Sequence, residues 1–497
     1  MDNIEKQEER SRYRSSFGAT LLFSSVQFFQ ILIKIVKSKF VALFIGPAGM
    51  GIQSLLSSTV ETISAATNLG LNTSSVKTIA AANRENNQIE IAKNVKALRR
   101  LVWLTGLLGT SFCAVLAPIW SQTSFGDSTY MMAFVIVSVV VLLEQLNRGE
   151  LALLQGMQQK KKLARANVIG QSLNAVITIP LYYFFGVKAI VAAFIIGAAI
   201  SLAITSYYSH QIKIEKIQMS FRETFMVGRE MIKLGFFLSL QFLLQNVVLW
   251  IVRNYVSNIG SVDDVGLYSA GTSIVVSYVG LVFAAIATDY FPRLAATKNN
   301  DEMRVAVHTQ AELTILMLAP LMVAFIVFCK PVVVLLYSSK FLPIEHMMYC
   351  SIGAVLLQAM GWALAYTLLA KAKPSYYFLN ELVTTAWGLP VRLICYKYWG
   401  LTGFGISSII IYTIYLLQVL IVSKKLFGIS YDFSIWRLFF ILNIPVVCAV
   451  VLKLTLTDIW GYFVGILVLM LVMGFCLYRL NQKMDLKSYV NKKIRRK

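Results

Sequence analysis

The sequence predicts an all-α polytopic membrane protein: two pseudo-symmetric six-helix bundles around a central cavity, then a C-terminal helix hairpin, fourteen transmembrane helices in all. Three observations predict it: the apolar segmentation, the sidedness of the cations and a weak internal repeat. The 497 residues are 57% hydrophobic and 14% charged, which excludes an ordinary soluble domain of this length. Fourteen stretches reach the roughly 20 apolar residues that cross a hydrocarbon core of about 30 Å. They run 17–45, 50–80, 98–120, 130–157, 163–185, 188–209, 231–257, 265–290, 307–329, 344–370, 375–396, 400–422, 436–455 and 459–478. Most of the 46 Lys+Arg fall at the N-terminus, in every second loop and at the C-terminus; the opposite loops hold four, Lys188, Lys330, Lys340 and Lys397. Cations stay on the cytoplasmic side of a bilayer protein, so both termini are expected there. The net charge of +22 is therefore a topology signal set against anionic lipid, not a nucleic-acid footprint. The first apolar run is too long, and its start too polar, for a cleavable signal peptide.

Segment 1 carries Lys34, Lys37 and Lys39 in an otherwise neutral run. A Lys at the bilayer centre costs about 2.5–3.5 kcal/mol on insertion scales. Three in one helix read as a cationic wall, against the alternative of snorkelling to the interface near the Gly46 turn. That turn, Gly46-Pro47-Ala48-Gly49, is not a phosphate loop, because no GK[ST] follows it. Segment 2 has a polar stripe, Ser54, Ser58, Glu61, Asn68, Asn72 and Ser75, whose steps of three, four and seven share one helical face. Hydroxyls, amides and a carboxylate suit sugar hydroxyls; packing through small polar residues is the competing account. In segment 4, Glu144 and Arg148 are i,i+4 neighbours and read as an internal ion pair, with Glu150 nearby. Segments 5 and 6 turn at Gly186-Val187.

The linker 210–230 mixes apolar and basic residues and is expected to lie on the cytoplasmic interface. Segment 7 carries Arg253 and no acid between Met231 and Ser257. Asp289 and Arg293 end segment 8 and read as a structural pair; Glu381 and Arg392, eleven residues apart in segment 11, are able to share a face. The three His lie far apart and the six Cys form no CxxC pair, so neither a metal site, a disulfide framework nor any other cofactor is expected. No loop is long enough for a periplasmic or an ATPase domain, and no nucleophile–base constellation stands out. The chemistry expected is movement, not catalysis.

At an offset of 215 residues, Gly51-Ile52-Gln53-Ser54 falls on Gly266-Leu267-Tyr268-Ser269, and Leu153-Leu154 on Leu368-Leu369. One residue of slip pairs Gly186-Val187 with Gly400-Leu401. The expected domains are thus 1–209, a linker 210–230, a second bundle 231–425, and two extra helices with a basic tail over 426–497. Both bundles start on the same side, so their pseudo-two-fold axis runs along the membrane normal, with a substrate site between them. The same offset carries Arg253 onto Ser38, between Lys37 and Lys39, which places cations at matching points of both halves.

The run Lys39 to Gly51, KFVALFIGPAGMG, is similar to the first turn of the lipid-linked oligosaccharide flippases. Val252-Arg253-Asn254, Asp264 to Tyr268 (DVGLY) and Phe291 to Leu294 (FPRL) resemble the same family, and the likeness spans roughly 15–425. These flippases include O-antigen translocases and the enterobacterial common antigen lipid III flippase, of the multidrug/oligosaccharidyl-lipid/polysaccharide exporter superfamily. The resemblance implies a V-shaped cavity lined by segments 1, 2, 7 and 8. It also implies undecaprenyl-pyrophosphate-linked sugar as cargo, carried across a bacterial inner membrane for lipopolysaccharide-type glycan. Family members commonly show twelve spans, so segments 13 and 14 inherit no role. Partners implied are the lipid-linked oligosaccharide, membrane lipids, and the polymerase and chain-length machinery of glycan assembly.

The residues expected to bind substrate are Arg253, Lys34, Lys37, Lys39, Glu61, Asn68, Asn72 and Arg392. A multidrug exporter of the same superfamily is the alternative; it would keep carboxylates where segments 1 and 7 carry cations. A polymerase or ligase on the same lipid would need a periplasmic loop bearing catalytic residues. A scaffold would not need intramembrane charge. The cation asymmetry predicts a cytoplasmic C-terminus: a C-terminal phosphatase fusion should be inactive and a fluorescent-protein fusion bright. The reverse pattern removes the even span count.

Overall fold

Glycine, proline and short polar caps decide where the apolar runs break. The computed structural model describes residues 2–371, 374–456 and 459–484, with side chains from Phe29 onward except at 234, 237–238, 278, 281, 284–289, 374 and 483–484. The expected Asp289 pairing and the basic residues from Lys487 to Lys497 lie outside the described residues. In order the helices are α1 (Asp2–Asn68), α2 (Leu71–Arg84), α3 (Gln88–Val115), α4 (Ala117–Phe125), α5 (Met131–Gly156), α6 (Lys160–Phe185), α7 (Ile190–His210) and α8 (Phe221–Ile259). There follow α9 (Val262–Ala295), α10 (Asn300–Val327), α11 (Cys329–Leu336), α12 (Glu345–Gly353), α13 (Val355–Ala370), α14 (Pro374–Phe427), α15 (Phe433–Thr455) and α16 (Ile459–Met484).

This is an all-α, multi-pass membrane protein. Each of the fourteen apolar stretches is helical over most of its length. Among the described residues, seven helices are long and apolar enough to cross a membrane, or eight if one bent pair counts as a span. Two of these, 51 and 53 residues long, are of double length. Large apolar side chains stand outward on them: Val115 on α3, Phe184 on α6, and Ile459 and Trp460 on α16 are all at least 70% exposed. In water such a surface would aggregate; in lipid it is the solvated face.

Three turns use one backbone solution. Gly46 (φ 65°, ψ −171°) divides α1 into two arms, Gly400 (φ 56°, ψ −141°) divides α14, and Gly186 (φ 53°, ψ −133°) separates α6 from α7. A Cβ at any of the three would meet nothing within 4 Å, so glycine is there for its left-handed φ and not for room. Pro47 opens the second arm of α1, where a missing N–H costs nothing. Segment 2 differs from the continuous helix expected. It breaks at Leu69 (φ 53°) and Gly70 (φ 72°) and resumes as α2. The reason is tertiary: a Cβ on Gly70 would lie 2.3 Å from the carbonyl oxygen of Gly235, so α8 presses backbone to backbone on the break. Segment 10 is likewise two helices, α12 and α13, in a pair bent by 41°.

The repeat is sharper in the backbone than in the sequence. Helices α3 and α10 are each 28 residues long. Each opens on an Asn whose side chain accepts the N–H of a Glu three residues on: Asn87 from Glu90 at 3.1 Å, Asn299 from Glu302 at 2.8 Å. A short helix follows each, α4 after α3 and α11 after α10, and the Gly186 and Gly400 turns close the series.

Two compact units form, Met1–Gly266 and Leu267–Lys497. In the first, α8 packs on α1, α2 and α3, and Leu71, Ile79, Leu98, Leu153 and Met231 share one buried cluster. The segment before α8 is pinned to α3: Lys96 donates to the Ile217 carbonyl, and Arg100 to the Met219 carbonyl at 2.8 Å and to Thr224 Oγ1 at 2.9 Å. Helix α8 then opens on a capping box. The Ser220 backbone N–H and hydroxyl side chain hold the Glu223 carboxyl below its usual range.

In the second unit, α15 and α16 pack on α10. At one end of α15, Asp432 bonds Arg304 and lies 3.2 Å from His308 Nδ1, while His308 Nε2 faces the Ser430 carbonyl at 2.9 Å. The Arg304 hydrogen bond, then the His308 charge, hold the Asp432 carboxyl below its usual range. At the other end Lys453, 7% exposed, sits 3.3 Å from the Tyr462 ring centroid.

Glycine substitutions should separate the two roles. Gly186→Ala adds only left-handed strain, about 1 kcal/mol, and should lower the melting temperature of the detergent-purified protein slightly. Gly235→Ala places a Cβ 2.5 Å from the Gly70 carbonyl oxygen and should cost far more. Equal melting temperatures for the two variants would remove the close approach of α8 as a constraint.

Candidate functional site

Two polar features of the first unit meet along α1, α5 and α8. The first is a seam between the second arm of α1 and α8. Arg253 Nη1 donates to the Ser54 carbonyl at 3.3 Å, the Trp250 indole N–H to Thr59 Oγ1 at 3.2 Å, and Thr62 Oγ1 to the Asn246 carbonyl at 3.3 Å. The Nε of Arg253 is buried with no hydrogen-bond partner among the described residues. Glu61, on the same arm, is in electrostatic reach of Arg253, Glu144 and Arg148. Glu61 and Glu144 also share the wall of a small cavity of about 60 Å³ with Ser57 and Phe194.

The second feature is a cleft of about 530 Å³ where α1 ends and α2 begins. Its polar lining is Asn68, Asn72, Thr73, Arg148, Gln155 and Ser239; Ala65, Leu151 and Phe242 add apolar wall. Among the described residues no carboxylate lines it. The cleft lies at the helix break: Asn68 and Gly70 line it together with Asn72 and Thr73. Asn72 Oδ1 is buried without a hydrogen-bond partner among the described residues. Amides, hydroxyls and a guanidinium are donors and acceptors suited to sugar hydroxyls and phosphate oxygens.

The expected site residues therefore fall into separate groups. Asn68 and Asn72 line the cleft together, while Arg253 and Glu61 lie on the seam. Lys37 Nζ donates to Asn174 Oδ1 of α6 at 2.7 Å. Lys34 is exposed and Lys39 half-buried, each engaged with a neighbour. Arg392 belongs to the second unit, in electrostatic reach of Tyr412 across the two arms of α14, and Glu381 accepts the Tyr415 hydroxyl at 3.0 Å. The Glu144–Arg148 pair read from the sequence forms at 3.0 Å. Sequence reasoning missed Arg148, Gln155 and Ser239 as lining residues. The step of seven from Arg148 to Gln155 puts both on one face of α5 and was the available signal.

The fold defines a class. Superposition on the lipid II flippase MurJ in an inward closed conformation gives a TM-score of 0.74 at 13% identity, covering 93% of this chain and 99% of that one. An inward-facing multidrug resistance MATE family transporter of the MOP superfamily gives 0.66 at 15% identity, covering 84% and 98%. The chain shares the fold of these two proteins. Residues 40–346 match the polysaccharide biosynthesis protein family, and the chain belongs to that family. A Shigella flexneri protein named as an O-antigen transporter is 27% identical over 325 residues, 63% of this chain and 72% of that protein.

Arg253 is the residue whose replacement tests the seam. Arg253→Ala should reduce surface glycan to below about a tenth at matched expression, and Arg253→Lys should restore part of it, since a point charge replaces a planar fork. Normal glycan in the Ala variant would remove Arg253 from the site.

Proposed function

We propose that this chain is a flippase that moves undecaprenyl-pyrophosphate-linked oligosaccharide, an O-antigen-type repeat unit, from the cytoplasmic to the periplasmic leaflet by alternating access. The observation that carries the reading is the lining of the α1–α2–α5–α8 cleft, which among the described residues is amides, hydroxyls and one guanidinium, with no carboxylate. A head group of sugars and a diphosphate needs that set, whereas a cationic drug needs acids. Membership of the polysaccharide biosynthesis family and the likeness to the Shigella O-antigen transporter support it. In this reading the protein sits in a bacterial inner membrane with both termini cytoplasmic, and carries out no bond chemistry. Segments 1–6 and 7–12 act as the two moving halves, with Lys34, Lys37, Lys39, Glu61, Asn68, Asn72, Arg253 and Arg392 as cargo contacts. The polymerase and chain-length machinery would receive the product.

The multidrug exporter remains the second reading because the MATE family shares the fold. Loss of the protein should trap lipid-linked sugar on the cytoplasmic face, measured by labelling sugar on each face of the membrane, without sensitising cells to cationic drugs. Drug hypersensitivity with normal surface glycan would decide for the exporter.

A further inference from the structure

We infer that Arg148 is a cargo-binding residue, and that Glu144 is the counter-ion it releases when the diphosphate of the cargo arrives. The inference rests on the flippase reading above and adds a residue and an exchange to it.

Two Arg–Glu pairs involve α5, and they are built differently. Arg99 grips Glu150 through two parallel bonds, Nε at 2.8 Å and Nη2 at 2.9 Å, and the Glu150 side chain is 12% exposed. Arg99 is 36% exposed, but the two-point grip is the arrangement of a structural tie. Arg148 meets Glu144 through one nitrogen and one oxygen at 3.0 Å, and the two side chains are 31% and 33% exposed. A single-point, half-open pair contributes little to stability and leaves guanidinium donors to spare. The two partners also face different spaces. Arg148 lines the cleft beside Asn68, Asn72 and Gln155, while Glu144 lines the small cavity with Glu61. An anion in the cleft therefore approaches Arg148 from the side away from its acid. Arg148 presents the cation and the unmatched Asn72 Oδ1 an acceptor for a sugar hydroxyl.

The neighbouring charges supply the return step. Glu61 shares the wall of the small cavity with Glu144 and is in electrostatic reach of Arg253 and Arg148. When Arg148 turns to a diphosphate, the two acids keep Arg253 as the guanidinium within reach. That opposes the exchange, so the original pair re-forms once cargo leaves, and cargo is held without being trapped.

The test uses the full-length protein in detergent, with undecaprenyl pyrophosphate as probe, undecaprenol as neutral control and phosphatidylglycerol as competitor, binding being read by native mass spectrometry. Wild type should prefer undecaprenyl pyrophosphate over undecaprenol. Arg148→Ala should weaken that binding about tenfold or more, the loss expected for a charge-assisted hydrogen bond. Glu144→Gln should strengthen it, because Arg148 no longer has an acid to leave. The double exchange Glu144→Arg with Arg148→Glu keeps a pair but turns an acid to the cleft, and should lose diphosphate binding while staying folded. Shifts of Arg148→Ala and Glu144→Gln in the same direction, or no shift in either, overturn the inference and leave the flippase reading standing. Full competition by phosphatidylglycerol assigns Arg148 to ordinary lipid and also overturns it. Equal wild-type binding of undecaprenyl pyrophosphate and undecaprenol removes the cargo reading, and the inference with it.

Discussion

Hydrocarbon cannot hydrogen-bond, and every feature of this protein answers to that. Backbone groups are satisfied within helices, and charges inside the spans are held by partners. The Glu144–Arg148 pair on α5 is one case, at 3.0 Å, and Glu61 on α1 is in electrostatic reach of that pair and of Arg253 on α8. The bonds of Arg253 to the Ser54 carbonyl, of Trp250 to Thr59 and of Thr62 to the Asn246 carbonyl tie α8 to α1 along the seam. Arg148 of the pair also lines the cleft.

The break in segment 2 shows how packing makes a site out of a span. A straight helix over 50–80 would place Asn68 and Asn72 along one continuous face. Instead the backbone of Gly235 meets that of Gly70, the helix stops at Asn68, and residues on both sides of the break line the cleft with residues of α5. Two glycines without side chains are the condition for that approach.

The extra hairpin of α15 and α16 is bound to the second unit at both ends of α15. One end is an ion cluster of Arg304, His308 and Asp432, beside a buried Tyr431 whose hydroxyl donates to the Met360 carbonyl at 2.7 Å. The other is Lys453 against the Tyr462 ring, near the Lys330–Glu345 pair. With these anchors on α10, α12 and α13, the hairpin extends the second unit as part of its packed structure and is not a loose appendage.

By itself the sequence determined the helical class and the glycine turns at 46, 186 and 400, because apolar run length and left-handed φ are local properties; the breaks within segments 2 and 10 came from packing and were not legible in it. It determined the Glu144–Arg148 pair for the same reason, since i,i+4 spacing is local. The internal repeat was visible at Gly186 and Gly400, but the matching Asn caps of α3 and α10 emerged only from the backbone. Only the tertiary structure decided where the charges of segments 1, 4 and 7 went. Lys37 turned to Asn174, Arg253 to Ser54, and Arg148, read from the sequence as a partner of Glu144, also faced the cleft. A helix carries side chains around its whole circumference, and the neighbours that pack against it choose which face becomes a wall and which becomes a seam.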